Sequence, residues 1–152
     1  MSRTEEILDE VQAQCRERGV RLTAKRQHVL STLIESGAAL SAYELADLCN
    51  EGEEHAIPVM SVYRILEFFQ QEQFVHKLHV ANKFIACSHI VCDHDHGVSQ
   101  FLICSRCHDV SEMLVENKVM NALEQTVRDA GYTMLAPQLE MNCLCSNCAT
   151  AA

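Results

Sequence analysis

Apolar residues recur at helical spacing through the first half of the chain. Between residues 4 and 18, Ile7, Leu8, Val11 and Cys15 share one stripe, and Gly19 is placed to end the helix. Thr23 is a good N-cap for a second helix with Val29, Leu30, Leu33 and Ile34 on its buried side and Gly37 as its stop. Ser41, followed three residues later by Glu44, reads as a capping box before a third stripe of Leu45, Leu48 and Cys49. An acidic loop spans residues 51–55. Pro58 sits where a helix can begin, and Val62, Ile65, Leu66 and Phe69 then follow an i, i+3, i+4, i+7 pattern. The period changes after that. Residues 74–80 and 83–87 read as two short strands around an Ala81-Asn82 turn.

Three helices, a fourth and a hairpin predict a winged helix-turn-helix. Past residue 87 the texture shifts to a polar, ligand-rich stretch, SHIVCDHDHG. Residues 99–104 and 109–115 predict strands. Residues 117–130 predict a helix with Val119, Met120, Leu123 and Val127 inward and Gly131 at its end, and 132–142 a further strand. The expected fold class is α+β. An N-terminal winged helix-turn-helix domain covers 1–82, a hinge and metal loop 83–97, and a small α+β domain 98–152.

Composition sharpens this picture. The chain has 152 residues, 48% of them hydrophobic, with no Trp and 5% aromatics, so its cores must be mainly aliphatic. A unit of about 60–80 residues has a thin core and commonly needs a metal or a partner. No stretch approaches the ~18 apolar residues of a membrane span, and MSRTEEILDE carries no apolar signal core. The expectation is a protein of the reducing cytoplasm. There, nine cysteines and eight histidines point to metal ligands or buried thiols rather than disulfides. The net charge of −9 argues against indiscriminate polyanion binding. One basic island, Arg16, Arg18, Arg21, Lys25 and Arg26, is interrupted by a single acid, Glu17.

The strongest chemical signal is Cys104-Ser105-Arg106-Cys107 together with Cys145-Ser146-Asn147-Cys148. Each Cys-x-x-Cys turn can aim two thiolates at one ion about 2.3 Å away, and two turns complete a zinc tetrahedron. A redox role fits less well, because the pair occurs twice without a thioredoxin-like βαβ pattern. Cys143 offers a second register. The two-residue spacer favours Cys145 and Cys148 and leaves Cys143 as a buried thiol. His76, Cys87, Cys92, His94, His96 and Glu112 are the remaining candidate ligands. A metal held by a set of these would join the two units, as a sensor requires. Mixed N, S and O donors with a thiolate suit zinc over magnesium, calcium or manganese. Taken singly, each has a plainer reading: a surface histidine on a hairpin, a core cysteine, a solvated loop.

No His-Glu-x-x-His, nucleophile elbow or Walker loop is present, so an enzyme is not expected. A metal-storage or delivery protein would account for the cysteines and histidines but not for a Tyr-Arg helix beside a hairpin.

Several stretches carry a family resemblance. They are Arg21-Leu22-Thr23 with Arg26, Leu40-Ser41-Ala42-Tyr43-Glu44-Leu45, Ser61-Val62-Tyr63-Arg64-Ile65-Leu66, Phe74-Val75-His76-Lys77 and the two Cys-x-x-Cys pairs. Over nearly its whole length the chain resembles the ferric uptake regulator family, and within it the zinc-sensing branch. The resemblance implies a repressor, homodimeric through its C-terminal α+β domain, that binds AT-rich palindromic operators when metal-loaded. One or two dimers would occupy an operator. It implies two zinc ions per chain. The structural one would use Cys104, Cys107, Cys145 and Cys148. The regulatory one would use His76, Cys87, Glu112 and a loop histidine, His96 before His94, with Cys92 as a further substitute. Iron-sensing relatives carry a His-rich run near the first zinc cysteine, where this chain has Gly-Val-Ser-Gln-Phe-Leu-Ile. That favours zinc over iron; the alternative within the family is a sensor of iron, manganese or peroxide. Arg64, opposite the apolar face of its helix, can reach guanine O6 and N7 in the major groove. Tyr63 sits on the flank of the same helix, where it can touch a phosphate or a thymine methyl, and Ser61 lies near it. The resemblance adds Tyr43 at a base and the region of Arg21, Lys25 and Arg26 near phosphates.

Overall fold

The structure, a computed structural model, describes residues 2–92, 97–135 and 137–150. The chain forms two units, Met1–Cys92 and Asp93–Ala152.

The first unit runs α1 (Arg3–Arg18), α2 (Ala24–Ser36), α3 (Ala42–Asn50), α4 (Val59–Gln71), β1 (Val75–Leu78) and β2 (Lys83–Ala86). Its helix ends follow local chemistry. Thr23 accepts from the Arg26 amide, and Ser41 and Glu44 close a reciprocal capping box. Gly19 and Gly37 end α1 and α2 at φ 70° and 62°, a region costly for a residue with a Cβ. Val11, Cys15, Val29, Leu30, Leu33, Leu45, Val62, Leu66 and Phe69 are buried together, so the inferred stripes meet in one core. Leu48 is the exception. It is exposed, and α3 buries Ala42, Leu45, Ala46 and Cys49 instead. The apolar arc of that helix centres on 42-45-46-49, which turns Leu48 to its margin.

Two polar clasps fix the helix-turn-helix. Asn50 donates from Nδ2 to the Ile57 carbonyl at 3.0 Å and accepts from the Ile57 amide at 2.7 Å, closing the loop between α3 and α4. Arg18 donates to the Glu72 carbonyl at 2.6 Å and pairs with its carboxylate at 3.2 Å, tying α1 to the end of α4. β1 and β2 pair antiparallel, with His76 opposite Ile85 and Lys77 opposite Phe84. Asn82 takes a left-handed φ of 50° in the turn between them. Leu40 bridges to Phe84 on the other side of β2. β2, placed in the hinge segment 83–97 by the sequence reading, is thus a paired strand of the first unit.

The second unit runs β3 (Ser99–Cys104), β4 (Val110–Leu114), α5 (Asn117–Asp129), β5 (Leu139–Cys143) and α6 (Ser146–Thr150). β3 is central, antiparallel to β4 and parallel to β5. The expected strand over 132–142 forms only from Leu139. Pro137 has no N–H to give a ladder, and Tyr132 and Leu135 are exposed. The inward face expected of α5 is also corrected. None of its residues is buried, and Val119 and Leu123 are exposed. Among the described residues of this unit only Phe101, Ile103 and Cys104 are buried, so its three strands cannot cover the apolar stripe of α5. No helix of the described residues is long and apolar enough to cross a membrane.

Candidate metal centres and nucleic-acid interface

The parallel pairing of β3 with β5 creates the four-cysteine cluster. Parallel strands end side by side, and here Cys104 lies opposite Cys143. The chain turns back after Cys104 through His108, at φ 65°, and the Ser105 amide donates to the Cys143 carbonyl at 2.9 Å. Cys145 follows β5 by two residues, and Cys148 lies in α6. The four sulfurs of Cys104, Cys107, Cys145 and Cys148 all lie within 4.8 Å of one another. Tetrahedral zinc with sulfurs at ~2.3 Å sets them about 3.8 Å apart. Cys107 and Cys145 stand at 3.8 Å. The donor set therefore fits zinc. Cys143 is outside the set. It is half-buried rather than buried, and its thiol donates to the Met141 carbonyl at 3.6 Å, because it ends the strand instead of entering the turn.

Backbone dipoles prepare this cluster for a cation. Amides of Cys107, Cys145 and Arg106 point at the Cys104 sulfur and hold its pKa down at about 5. The Cys145 amide is 3.4 Å from that sulfur. Cys148 is pushed up to about 12 by the Cys145 thiol, then by burial and the Cys104 thiolate. At Cys107 the Asp109 amide favours the thiolate, but the Cys104 side chain, burial and Cys145 together raise it. Without a dication, then, Cys104 forms a thiolate and disfavours one at Cys107 and Cys148. Arg106 contributes a further clasp that its side chain type did not announce: it donates to the Cys148 carbonyl at 2.9 Å.

A pH prediction follows. Cys107 and Cys148 keep their protons through neutrality, so zinc must displace at least these two. Two displaced protons lower the apparent affinity about a hundredfold for each pH unit of acidification. Chelator competition one pH unit apart around neutrality measures this slope, and a pH-independent affinity would contradict it.

In the first unit, His76 of β1 and Cys87, just past β2, present ligand atoms within 4.8 Å of each other. Pairing of His76 with Ile85 puts both side chains on one face of the hairpin. The His89 amide donates to Cys87 Sγ at 3.4 Å. Nothing in the spacing of His89 announces that role. Cys92 is half-buried in the turn that follows, its amide donating to the His89 carbonyl. Glu112 belongs to the second unit, on β4, where its carboxylate accepts from Ser99 Oγ at 3.0 Å. His94 and His96 lie outside the described residues. Burial pushes the Cys15 and Cys49 thiols up, which keeps these two neutral as packing residues.

The nucleic-acid candidates divide into two sets. Arg64 is exposed on α4 between Met60 and Glu67, opposite buried Val62 and Leu66. Ser61 and Tyr63 are half-buried on the same helix, and Tyr43 of α3 is 63% exposed with its ring edge-on to Tyr63. Lys25 is exposed at the start of α2. Arg26 is half-buried, its guanidinium 3.7 Å above the Phe68 ring and donating to the Arg21 carbonyl. Those contacts commit much of Arg26 to holding α2 against α4.

Comparison with known proteins gives a consistent result. The model of the ferric uptake regulator family matches residues 17–142. The zinc uptake regulation protein of Escherichia coli is 37% identical over 99 residues, which is 65% of this chain and 57% of that relative. The aligned region thus spans little more than half that relative's length. Among solved structures, a zinc uptake regulator complexed with zinc and DNA shares 31% identity at a TM-score of 0.88, covering 99% of this chain and 98% of the other. Holo XcZur shares 36% identity at a TM-score of 0.81, covering 95% and 98%.

Proposed function

Because this chain belongs to the ferric uptake regulator family, we propose that it is a zinc-responsive repressor that binds palindromic, AT-rich operators of zinc-uptake genes. It acts as a homodimer. The exposed apolar residues of the second unit, Val119, Leu123, Met113 and Leu135 among them, support that assembly, since a second copy would cover apolar side chains that one chain leaves in solvent. Cys104, Cys107, Cys145 and Cys148 hold a structural zinc. When bound, that ion cross-links the end of β3 to the chain beyond β5. His76, Cys87, Glu112 and His96, or His94 in its place, hold a regulatory zinc whose ligands come from both sides of residue 92. Occupying it narrows the arrangements open to the two units toward those that match operator half-sites. The similarity to a zinc uptake regulator bound to zinc and DNA supports the reading. The observation that carries it is internal: one hairpin bears His76 and Cys87 within 4.8 Å and adjoins the helix bearing Tyr63 and Arg64.

Arg64→Ala tests the DNA side. A lost base contact costs about 1–3 kcal/mol, so operator affinity should fall about ten- to a hundredfold while zinc content and the dimer stay unchanged. A variant that bound the operator like the parent would remove Arg64 from the recognition surface.

A further inference from the structure

An aromatic ladder joins the hairpin to the DNA-facing surface within the first unit. Phe84 of β2 is buried at 3% exposure. Its ring meets Tyr63 edge-on at 6.4 Å and 77°, and Tyr63 meets Tyr43 edge-on at 6.3 Å and 86°. The ladder thus starts inside the hairpin and ends on an exposed side chain. The rings of Phe68, Phe69 and Phe74 instead pack among themselves, with Phe69 and Phe74 buried in the core.

Phe84 is also pinned on both sides of its strand. It pairs with Lys77 of β1, and it exchanges two backbone hydrogen bonds with Leu40, at 2.7 and 2.9 Å, one residue before the Ser41 cap of α3. Lys83 reaches the Glu44 carboxylate of the same capping box at 3.4 Å. Cys87 lies three residues further along the chain. A short paired strand moves as a stiff piece, so drawing His76 and Cys87 onto one ion shifts or steadies Phe84 as well.

We propose that Phe84 is a positioning residue, through which occupancy of His76 and Cys87 orders Tyr63 and Tyr43 for DNA contact. The proposal rests on the zinc-responsive reading above and adds a route inside the DNA-binding unit. Phe84, Tyr63 and Tyr43 all lie in the first unit.

The chain has no Trp and three tyrosines, two of them in the ladder. In the full chain carrying Tyr132→Phe, the tyrosine band of the near-UV circular dichroism therefore comes from tyrosines 43 and 63. Zinc alone, added after the four-cysteine site is filled, should change that signal. Phe84→Leu in this background should abolish most of the change, while Phe84→Tyr, whose added tyrosine bars it from this readout, should keep the zinc-dependent gain on DNA. Zinc affinity measured without DNA should stay within about twofold. On an AT-rich palindromic duplex, Phe84→Leu should cut the zinc-dependent gain in affinity about tenfold, the upper worth of an edge-to-face pair. A Phe84→Leu chain that keeps the full tyrosine response and the full zinc-dependent gain overturns the proposal. So does one that loses zinc binding itself, which would make Phe84 mere packing. If the parent chain binds no operator in response to zinc, the repressor reading fails. The tyrosine response then decides the ladder alone, by its dependence on Phe84 or its independence.

Discussion

Cys104→Ser will cost the second unit its fold and the chain its dimer. That unit has a small interior. Among its described residues only three are buried, and Cys104 is one of them. A sheet of three strands with α5 left uncovered has little apolar burial to set against backbone entropy. A structural zinc supplies binding free energy comparable to the whole stability of a typical domain. Cys104 is also the sulfur on which three amides converge, so its loss removes the thiolate that forms first. The expected result is loss of about one zinc per chain, loss of the cooperative melting of the second unit, and elution as a monomer or aggregate. Cys143→Ser is the matched control. Its thiol lies outside the cluster, and the variant should keep its zinc, its fold and its dimer. A stably folded, dimeric Cys104→Ser protein would count against the structural assignment.

His76→Ala will abolish zinc-dependent operator binding and leave the dimer folded. His76 belongs to the first unit and is not among the four clustered cysteines, so the structural zinc does not use it. Removing a direct ligand should cost zinc affinity more than the ten- to hundredfold typical of lost supporting contacts around a metal. Zinc content should fall from about two per chain to about one, and the melting temperature of the second unit should not move. Competition with a chelator, sedimentation and a mobility shift read the three quantities separately. If the variant still bound the operator with its zinc dependence intact, the ligand assignment would be wrong.

Much of this was legible in the sequence because local signals and tertiary packing agree. The capping box at Ser41 and Glu44, the glycine stops and the i, i+3, i+4, i+7 face of α4 each encode their own geometry. The Cys-x-x-Cys pairs are equally local, since each turn orients its own thiols. What stayed hidden depends on distant partners. Periodicity shows that α5 has an apolar stripe but not whether one chain can cover it, and here it does not. The apolar residues after Gly131 suit a ladder, but pairing begins only at Leu139, past Pro137. Burial of Cys143, at a strand end, depends on where the neighbouring turn goes. The Asn50–Ile57 clasp, the His89 amide on Cys87 and the Arg106 bond to Cys148 leave no mark in composition or spacing. Each needs a fold before it exists.

The most direct test of zinc-responsive repression is a titration of the full-length chain on an AT-rich palindromic operator from upstream of a zinc-uptake gene. Free zinc is buffered across the picomolar range, with iron and manganese run in parallel. The account predicts binding that rises with zinc and with neither other metal. Binding driven by iron or manganese, or binding indifferent to every metal, would contradict it.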